Sequence, residues 1–166
     1  MRGLMALGLV LAAGCTPVEL RSLPAAGAAV AIEGDSISYA TGPCYGTCPV
    51  YTVTVRPDGT GTFEGERFTA VTGRRAFRVT ADDYRHFAAA LAPYRPDGER
   101  RIEMGTSDCG PAPTDMPSID VNWVMASGGA GHLHFYTGCR VANAAMAKAL
   151  QDAPTLLPIA GLIGKR

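Results

Sequence analysis

The clearest alternation of apolar and polar residues runs through residues 50–56. There Tyr51, Val53 and Val55 share one face, and Thr52, Thr54 and Arg56 share the other. This period of two predicts a strand with one buried and one wet face, as in an antiparallel sheet covered on a single side. A shorter alternation over Ser36, Ile37, Ser38 and Tyr39 predicts a strand before it. Pro57-Asp58-Gly59 then reads as a turn, with proline setting one torsion and glycine free to take a positive one. It closes a hairpin onto residues 60–65. Further strands are expected over residues 67–71 and, after a turn at Thr72-Gly73-Arg74-Arg75, over residues 76–79.

The period then changes. Thr80 has the character of an N-cap, with Asp82 and Asp83 in the first turn, where the helix dipole favours anions. Tyr84, Phe87, Ala88 and Leu91 follow at helical spacing, which predicts an amphipathic helix over residues 81–92, stopped by Pro93 and Pro96. Residues 95–117 carry glycine, proline and charge without a period and are expected to form a long loop. Alternation returns at Ile119, Val121 and Trp123 and again at Leu133 and Phe135, so two strands joined by residues 126–131 are predicted. With both apolar sets on one core, facing residues have numbers of even sum. His134 is then expected opposite Asn122 or a near neighbour, and Tyr136 opposite Asp120. An alanine-rich helix is expected over residues 141–153, with Met146 and Leu150 inward. The apolar tail 154–166 is too short to span a membrane and is expected to pack on the domain or a partner. Strands joined by local hairpins, without long crossovers, predict an α+β fold: an antiparallel sheet with two helices packed on one face.

The first fourteen residues change the picture of where such a domain works. Met1-Arg2 begins a charged segment, and residues 3–10 are a short apolar run, which is the layout of an export signal. The run ends in Leu11-Ala12-Ala13-Gly14-Cys15, which resembles the bacterial lipobox. That resemblance implies cleavage after residue 14, a diacylglyceryl group on Cys15 and an acylated new amino terminus. Several acyl chains hold a domain on a bilayer where one does not, since each buried methylene contributes about 0.8 kcal/mol. Thr16, in place of aspartate, suggests by analogy with enterobacterial sorting an outer-membrane protein facing the periplasm. The expected organisation is a signal peptide 1–14, a flexible tether 15–31, a domain 32–153 and the tail 154–166.

Charge and sulfur narrow the function. The chain carries 15 basic and 15 acidic side chains. Loss of the signal removes only Arg2, so the mature domain offers no electrostatic footprint for nucleic acid. Cys44, Cys48, Cys109 and Cys139 remain after Cys15, an even number that reads as two disulfides in an exported chain. Of the three connectivities, Cys44–Cys48 and Cys109–Cys139 is favoured. On the loop-entropy account the longer closure contributes about 3.5 kcal/mol and the shorter about 2.

The run Cys44-Tyr45-Gly46-Thr47-Cys48-Pro49-Val50-Tyr51, followed by Asp58-Gly59 and Phe63-Glu64-Gly65, resembles a bacterial domain family of unknown function. Its members carry Cys-x-Gly-x-Cys-Pro-x-Tyr, a strand, a glycine turn and a second strand. Thr114-Asp115 also resembles a feature of that family, and the resemblance extends over residues 36–152. It implies a secreted or lipid-anchored protein and brings no catalytic residue or cofactor. Cys109 and Cys139 are additional to the shared pattern, so their pairing rests on the residues alone.

The chemistry-bearing candidates are few. Cys44 and Cys48 are a redox candidate, but thiol oxidoreductases use a two-residue spacer at a helix N-terminus, where the dipole lowers the thiol pKa. Here the spacer is three and a strand follows. His132 and His134 share a strand face, with Asp120 or Asn122 across from them, a set of donors suited to a transition metal. Ser127-Gly128-Gly129-Ala130-Gly131 lacks the lysine and helix of a phosphate loop. Tyr45 and Tyr51, with His132 and His134, are candidates for a recognition surface. The reading that follows is a non-catalytic binding or structural accessory domain of the envelope. It needs no cofactor, is held to the bilayer by Cys15, and has a partner in an envelope protein. Thiol–disulfide exchange at Cys44/Cys48 and metal binding at His132/His134 are the alternatives.

Overall fold

The structure, a computed structural model, describes residues 35–164. The expected signal peptide, Cys15 and the tether lie outside these residues. Seven strands form one sheet: β1 (Ser36–Thr41), β2 (Val50–Val55), β3 (Thr60–Arg67), β4 (Gly73–Arg78), β5 (Gly98–Ile102), β6 (Ser118–Val124) and β7 (Ala130–Tyr136). Their spatial order is β4-β3-β2-β1-β6-β7-β5. Every neighbouring pair is antiparallel except β5 with β7.

The alternation read from the sequence is the alternation of the sheet. Tyr39, Val53, Val55, Phe63, Val121, Leu133 and Phe135 lie on the covered face and are buried in one cluster. Two helices close that face. Helix α1 (Ala81–Leu91) starts at Thr80, whose hydroxyl accepts from the amide of Asp83 at 3.1 Å, and it buries Phe87 and Leu91. Helix α2 (Ala144–Asp152) buries Met146, Ala147 and Leu150, and Tyr39 Oη donates to the Leu150 carbonyl at 3.0 Å. Each helix continues into a 3-10 turn where proline follows, at Ala92–Tyr94 and Ala153–Leu156. The fold is therefore α+β, disulfide-stapled, with both helices on one face.

Several expectations are corrected. No separate strand begins at Arg67, and none occupies residues 68–71. Instead β3 runs on to Arg67 and the chain reverses over residues 68–72, because Ala70 and Val71 donate to the carbonyls of Ile163 and Leu162 rather than to a neighbouring strand. Those carbonyls belong to the tail, whose Leu157, Ile159 and Ile163 are buried and which forms a short helix, α3 (Ala160–Ile163). The expected loop 95–117 contains β5, an edge strand hidden from sequence patterning by Glu99, Arg100 and Arg101 and anchored only by buried Ile102. The connection from β4 through α1 to β5 also spans the sheet from one edge to the other, so a long crossover exists. Helix α2 begins three residues later than expected. A 3-10 turn at Thr137–Arg140 precedes it, and Val141 stands 82 % exposed.

Both bridges take the favoured connectivity, with Cα separations of 5.8 Å for Cys44–Cys48 and 4.7 Å for Cys109–Cys139. Cys109 and Cys139 are buried in the core cluster. Replacing Cys109 and Cys139 together by serine is expected to lower unfolding stability by about 3.5 kcal/mol, against about 2 for the Cys44/Cys48 pair. Urea midpoints of the two double variants check the order, and a smaller loss for the long bridge contradicts it. In the same assay Phe87→Ala is expected to cost about 3–5 kcal/mol, since the vacated ring leaves a cavity between α1 and the sheet.

Candidate site at the cysteine turn

Strand pairing fixes what lies at each end of the sheet. Thr41 faces Tyr51 and Ile119, Ser118 faces Tyr136, and Ile102 faces Phe135. The end of β1, the start of β2, the start of β6 and the ends of β7 and β5 therefore come together. The cysteine turn (residues 42–49) and the segment 103–117 both sit there. The opposite end holds Ser36 against Val124, beside Asp35, the first described residue.

Two irregular segments are pinned to one another at the cysteine end. The amide of Tyr45 donates to the Asp115 carbonyl at 3.1 Å, and that of Gly42 to the Ser118 carbonyl at 2.8 Å. A β-carbon on residue 42 would meet the Ser118 hydroxyl, so a larger residue there would turn that side chain aside. Tyr136 Oη accepts from the Met116 amide and donates to the Pro113 carbonyl, both at 2.9 Å. Thr137, a buried polar side chain, donates from Oγ1 to the Pro117 carbonyl at 2.7 Å. Asn143 Nδ2 reaches the Asp108 carbonyl at 2.7 Å, beside the Cys109–Cys139 bridge. On the turn itself, Thr41 Oγ1 donates to the Pro49 carbonyl at 2.7 Å and accepts from the Tyr51 amide at 3.2 Å. The register of β2 on β3 shifts between Val50 and Tyr51, a bulge that buries two consecutive side chains at the mouth of the turn.

Between these segments lies a cavity of about 260 Å³. Its apolar walls are Tyr39, Pro49, Tyr51, Met116, Pro117 and Ile119, with Cys48 at one side; Thr41, Ser118, Thr137 and Gln151 supply its polar atoms. Among the described residues no carboxylate, imidazole, ammonium or guanidinium lines it. Beneath it the aromatic rings continue into the core, with Tyr51 and Phe63 stacked at 5.4 Å and Tyr39 tilted against Tyr51 at 6.3 Å. A second, shallower hollow lies beside it, lined by Pro43, Cys44, Tyr45, Asp115 and Met116. Met116 borders both hollows, and the Cys44–Cys48 bridge has Cys48 on the first and Cys44 on the second.

The expected recognition residues separate. Tyr45 is 91 % exposed beside the second hollow, whereas Tyr51 is turned inward and contributes to the cavity wall. His132 and His134 lie elsewhere, on the uncovered face of the sheet. His134 is opposite Asp120 and His132 opposite Asn122, while Tyr136 is opposite Ser118. The even-sum rule holds, but the register is two residues from the one expected. The hairpin closes at residues 125–129 through Met125 and Gly129, so β7 begins earlier than the glycine run suggested. Asp120 Oδ1 stands between the rings, 3.1 Å from His132 Nε2 and 2.8 Å from His134 Nδ1. Glu99 and Glu103 lie 3.8 Å from the outer nitrogens of His132 and His134, respectively. Arg101 donates two bonds of 3.2 Å to Glu103, holding that carboxyl below its ordinary range. This is a chain of hydrogen bonds and ion pairs. Among the described residues no group of three or more His, Cys, Asp or Glu is placed to hold a metal ion.

Cys44 and Cys48 are half-buried, and β2 rather than a helix follows them. The dipole that lowers a thiol pKa at a helix N-terminus is therefore missing from this turn. Sequence reasoning located the turn but missed Met116, Pro117 and Thr137, which belong to the aperiodic stretch and its junction with β7. The sequence signals near them were Thr114-Asp115 and Cys109, whose partner fixes where that stretch returns.

A disulfide-stapled α+β domain with a neutral cavity at one end of its sheet is thus the class that fold and geometry define. Residues 35–157 match the family described as domain of unknown function DUF6438, and the chain belongs to that family. No curated protein matches the sequence.

Tyr136→Phe removes the hydroxyl that serves both Met116 and Pro113, and is expected to cost about 1–3 kcal/mol locally. Amide exchange at residues 114–116 should accelerate by tenfold or more while that of β6 and β7 stays unchanged. Uniform exchange across all three segments would show that the hydroxyl does not hold the loop.

Proposed function

We propose that the protein is an envelope lipoprotein whose domain acts by non-covalent binding at the cysteine-turn end of the sheet. The signal peptide 1–14 is removed, Cys15 is acylated, and the domain is held at the outer membrane facing the periplasm. Supporting this reading are the lipobox Leu11-Ala12-Ala13-Gly14-Cys15 and the two bridges, which suit an oxidising compartment. The observation that carries the binding role is the composition of the cavity wall. Aromatic, proline and aliphatic groups surround it, and among the described residues no carboxylate, imidazole, ammonium or guanidinium lines it.

Thiol–disulfide exchange at Cys44 and Cys48 remains a second reading, favoured by the half-exposed sulfurs between two hollows. Mild reduction of the purified chain followed by alkylation separates the two. The binding reading expects Cys44 and Cys48 to stay protected, with no reduction of insulin. Rapid labelling with insulin turnover would establish exchange instead.

The anchor is tested by labelled palmitate in a bacterial host. The full chain is expected to incorporate label in the membrane fraction. Cys15→Ser should incorporate none and accumulate with residues 1–14 attached. A mature wild-type product that retains Leu4 to Val10 would contradict the lipoprotein reading.

A further inference from the structure

We infer that the open edge of β4 adds one strand from a partner polypeptide, an extended acidic segment that pairs antiparallel along residues 74–78. This edge is separate from the cavity, and the inference stands whether or not anything fills the cavity.

The backbone supplies the first argument. β4 ends the sheet and pairs only with β3, in a register without a shift. The Val79 amide donates to the Gly59 carbonyl at 2.9 Å, which fixes the alternation of that ladder. Gly61 with Phe77, Phe63 with Arg75 and Gly65 with Gly73 are then its hydrogen-bonded pairs. The amides and carbonyls of Arg74, Ala76 and Arg78 therefore point away from β3, and among the described residues no strand lies beside them. One of these groups is met from within, since Arg75 Nη1 donates to the Arg74 carbonyl at 2.7 Å.

A sheet edge is blunted by proline, by a bulge, by a covering segment or by charge. Residues 73–78 contain no proline and no bulge, and Arg74, Arg75, Ala76 and Arg78 are exposed. Charge is the guard that remains, and it is selective. A second copy laid antiparallel on this edge and centred on Ala76 would set Arg74 against Arg78, a destabilising like-charge pairing. A strand carrying aspartate or glutamate meets the opposite charge.

The two edges of the sheet differ in how their arginines are answered. At β5, Arg100 reaches Asp108 at 2.8 Å and Arg101 reaches Glu103 at 3.2 Å. At β4, Arg74 reaches Glu64 at 3.1 Å in an exposed pair. Among the described residues no ion pair includes Arg67, Arg75 or Arg78. Asp58 lies in the field of Arg78, but its carboxylate is taken up by the amide and hydroxyl of Thr60 at 2.8 and 2.7 Å. Arg74, Ala76 and Arg78 share the uncovered face, opposite Glu64, Thr62 and Thr60. Their spacing defines the complement: acids at positions i and i+4 of the added strand, with a small side chain at i+2. A phosphate would answer the guanidiniums alone. A strand answers the guanidiniums and the outward backbone groups together, which favours polypeptide.

The test titrates the isotope-labelled full chain, held in phosphatidylcholine nanodiscs, with Ac-Thr-Glu-Val-Thr-Val-Glu-Thr-NH2. The peptide is expected to shift the amides of Arg74, Ala76 and Arg78 and to slow their exchange, leaving those of β6 and β7 unmoved. Its counterpart with Lys at both Glu positions should bind about tenfold more weakly. In the Arg74→Glu/Arg78→Glu double variant, altered at two exposed positions, the order of the two peptides should reverse. N-methylation of the central Thr removes an amide that faces β4 and should abolish binding. N-methylation of a neighbouring Val, whose amide faces away, should leave affinity within about threefold. Equal loss from both N-methyl peptides, or loss from neither, would overturn strand addition. Equal affinity for the Glu and Lys peptides would overturn the acidic partner. No response to the peptides would overturn the inference as a whole, whether the edge then binds phosphatidylglycerol vesicles, pairs with a second copy or does neither.

Discussion

The Cys109–Cys139 bridge and the hydrogen bonds around it hold together everything at the cysteine end of the sheet. The segment 103–117 has no helix and no ladder to satisfy its backbone, yet it must lie against the ends of β6 and β7 to form a wall. The bridge fixes it at one point, buried in the core cluster. Tyr136, Thr137 and Asn143 then hold it at Met116 and Pro113, at Pro117, and at Asp108. All three side chains lie on or just after β7. A regular strand thus serves as the template on which an irregular segment is laid, and the cavity is the space left between that segment and the cysteine turn.

This arrangement divides the molecule by rigidity and by chemistry. The covered face of the sheet is apolar and closed by α1 and α2. The uncovered face carries charged and polar rows, of which Asp120 with His132 and His134 is the most connected. Four large apolar side chains exposed to solvent, Tyr45, Phe68, Met104 and Val141, belong to connections at the cysteine end; Val124 is at the other. Phe68 and Asp115 hold positive φ angles of 56° and 64°, and both belong to that end. Strain and exposed apolar surface are costs that accumulate at binding surfaces.

How much of this was legible beforehand follows from what each element depends on. Strands β1, β2, β6 and β7 and helix α1 bury one face against one core, so their periods appear in the residues themselves. Strand β5 was not legible. Its parallel pairing with β7 is a tertiary contact, and Glu99, Arg100 and Arg101 carry an edge strand's charges rather than a buried pattern. The turn at residues 68–72 was misplaced for a related reason, since its donors are satisfied by the distant carbonyls of Leu162 and Ile163. For the site, the motif at Cys44–Tyr51 announced one wall. The other wall lies in a stretch without period, placed by a disulfide 30 residues long in sequence and by side-chain bonds that no local pattern encodes.

The account stands on two sulfur pairs formed as Cys44–Cys48 and Cys109–Cys139, since both walls of the cavity are set by them. Mass mapping of unreduced peptides from the chain recovered from a bacterial envelope tests this directly, with free thiols blocked at lysis. The account predicts those two linked peptides and no blocked thiol among the four cysteines. Crossed linkages, or free thiols at Cys109 and Cys139, would contradict it.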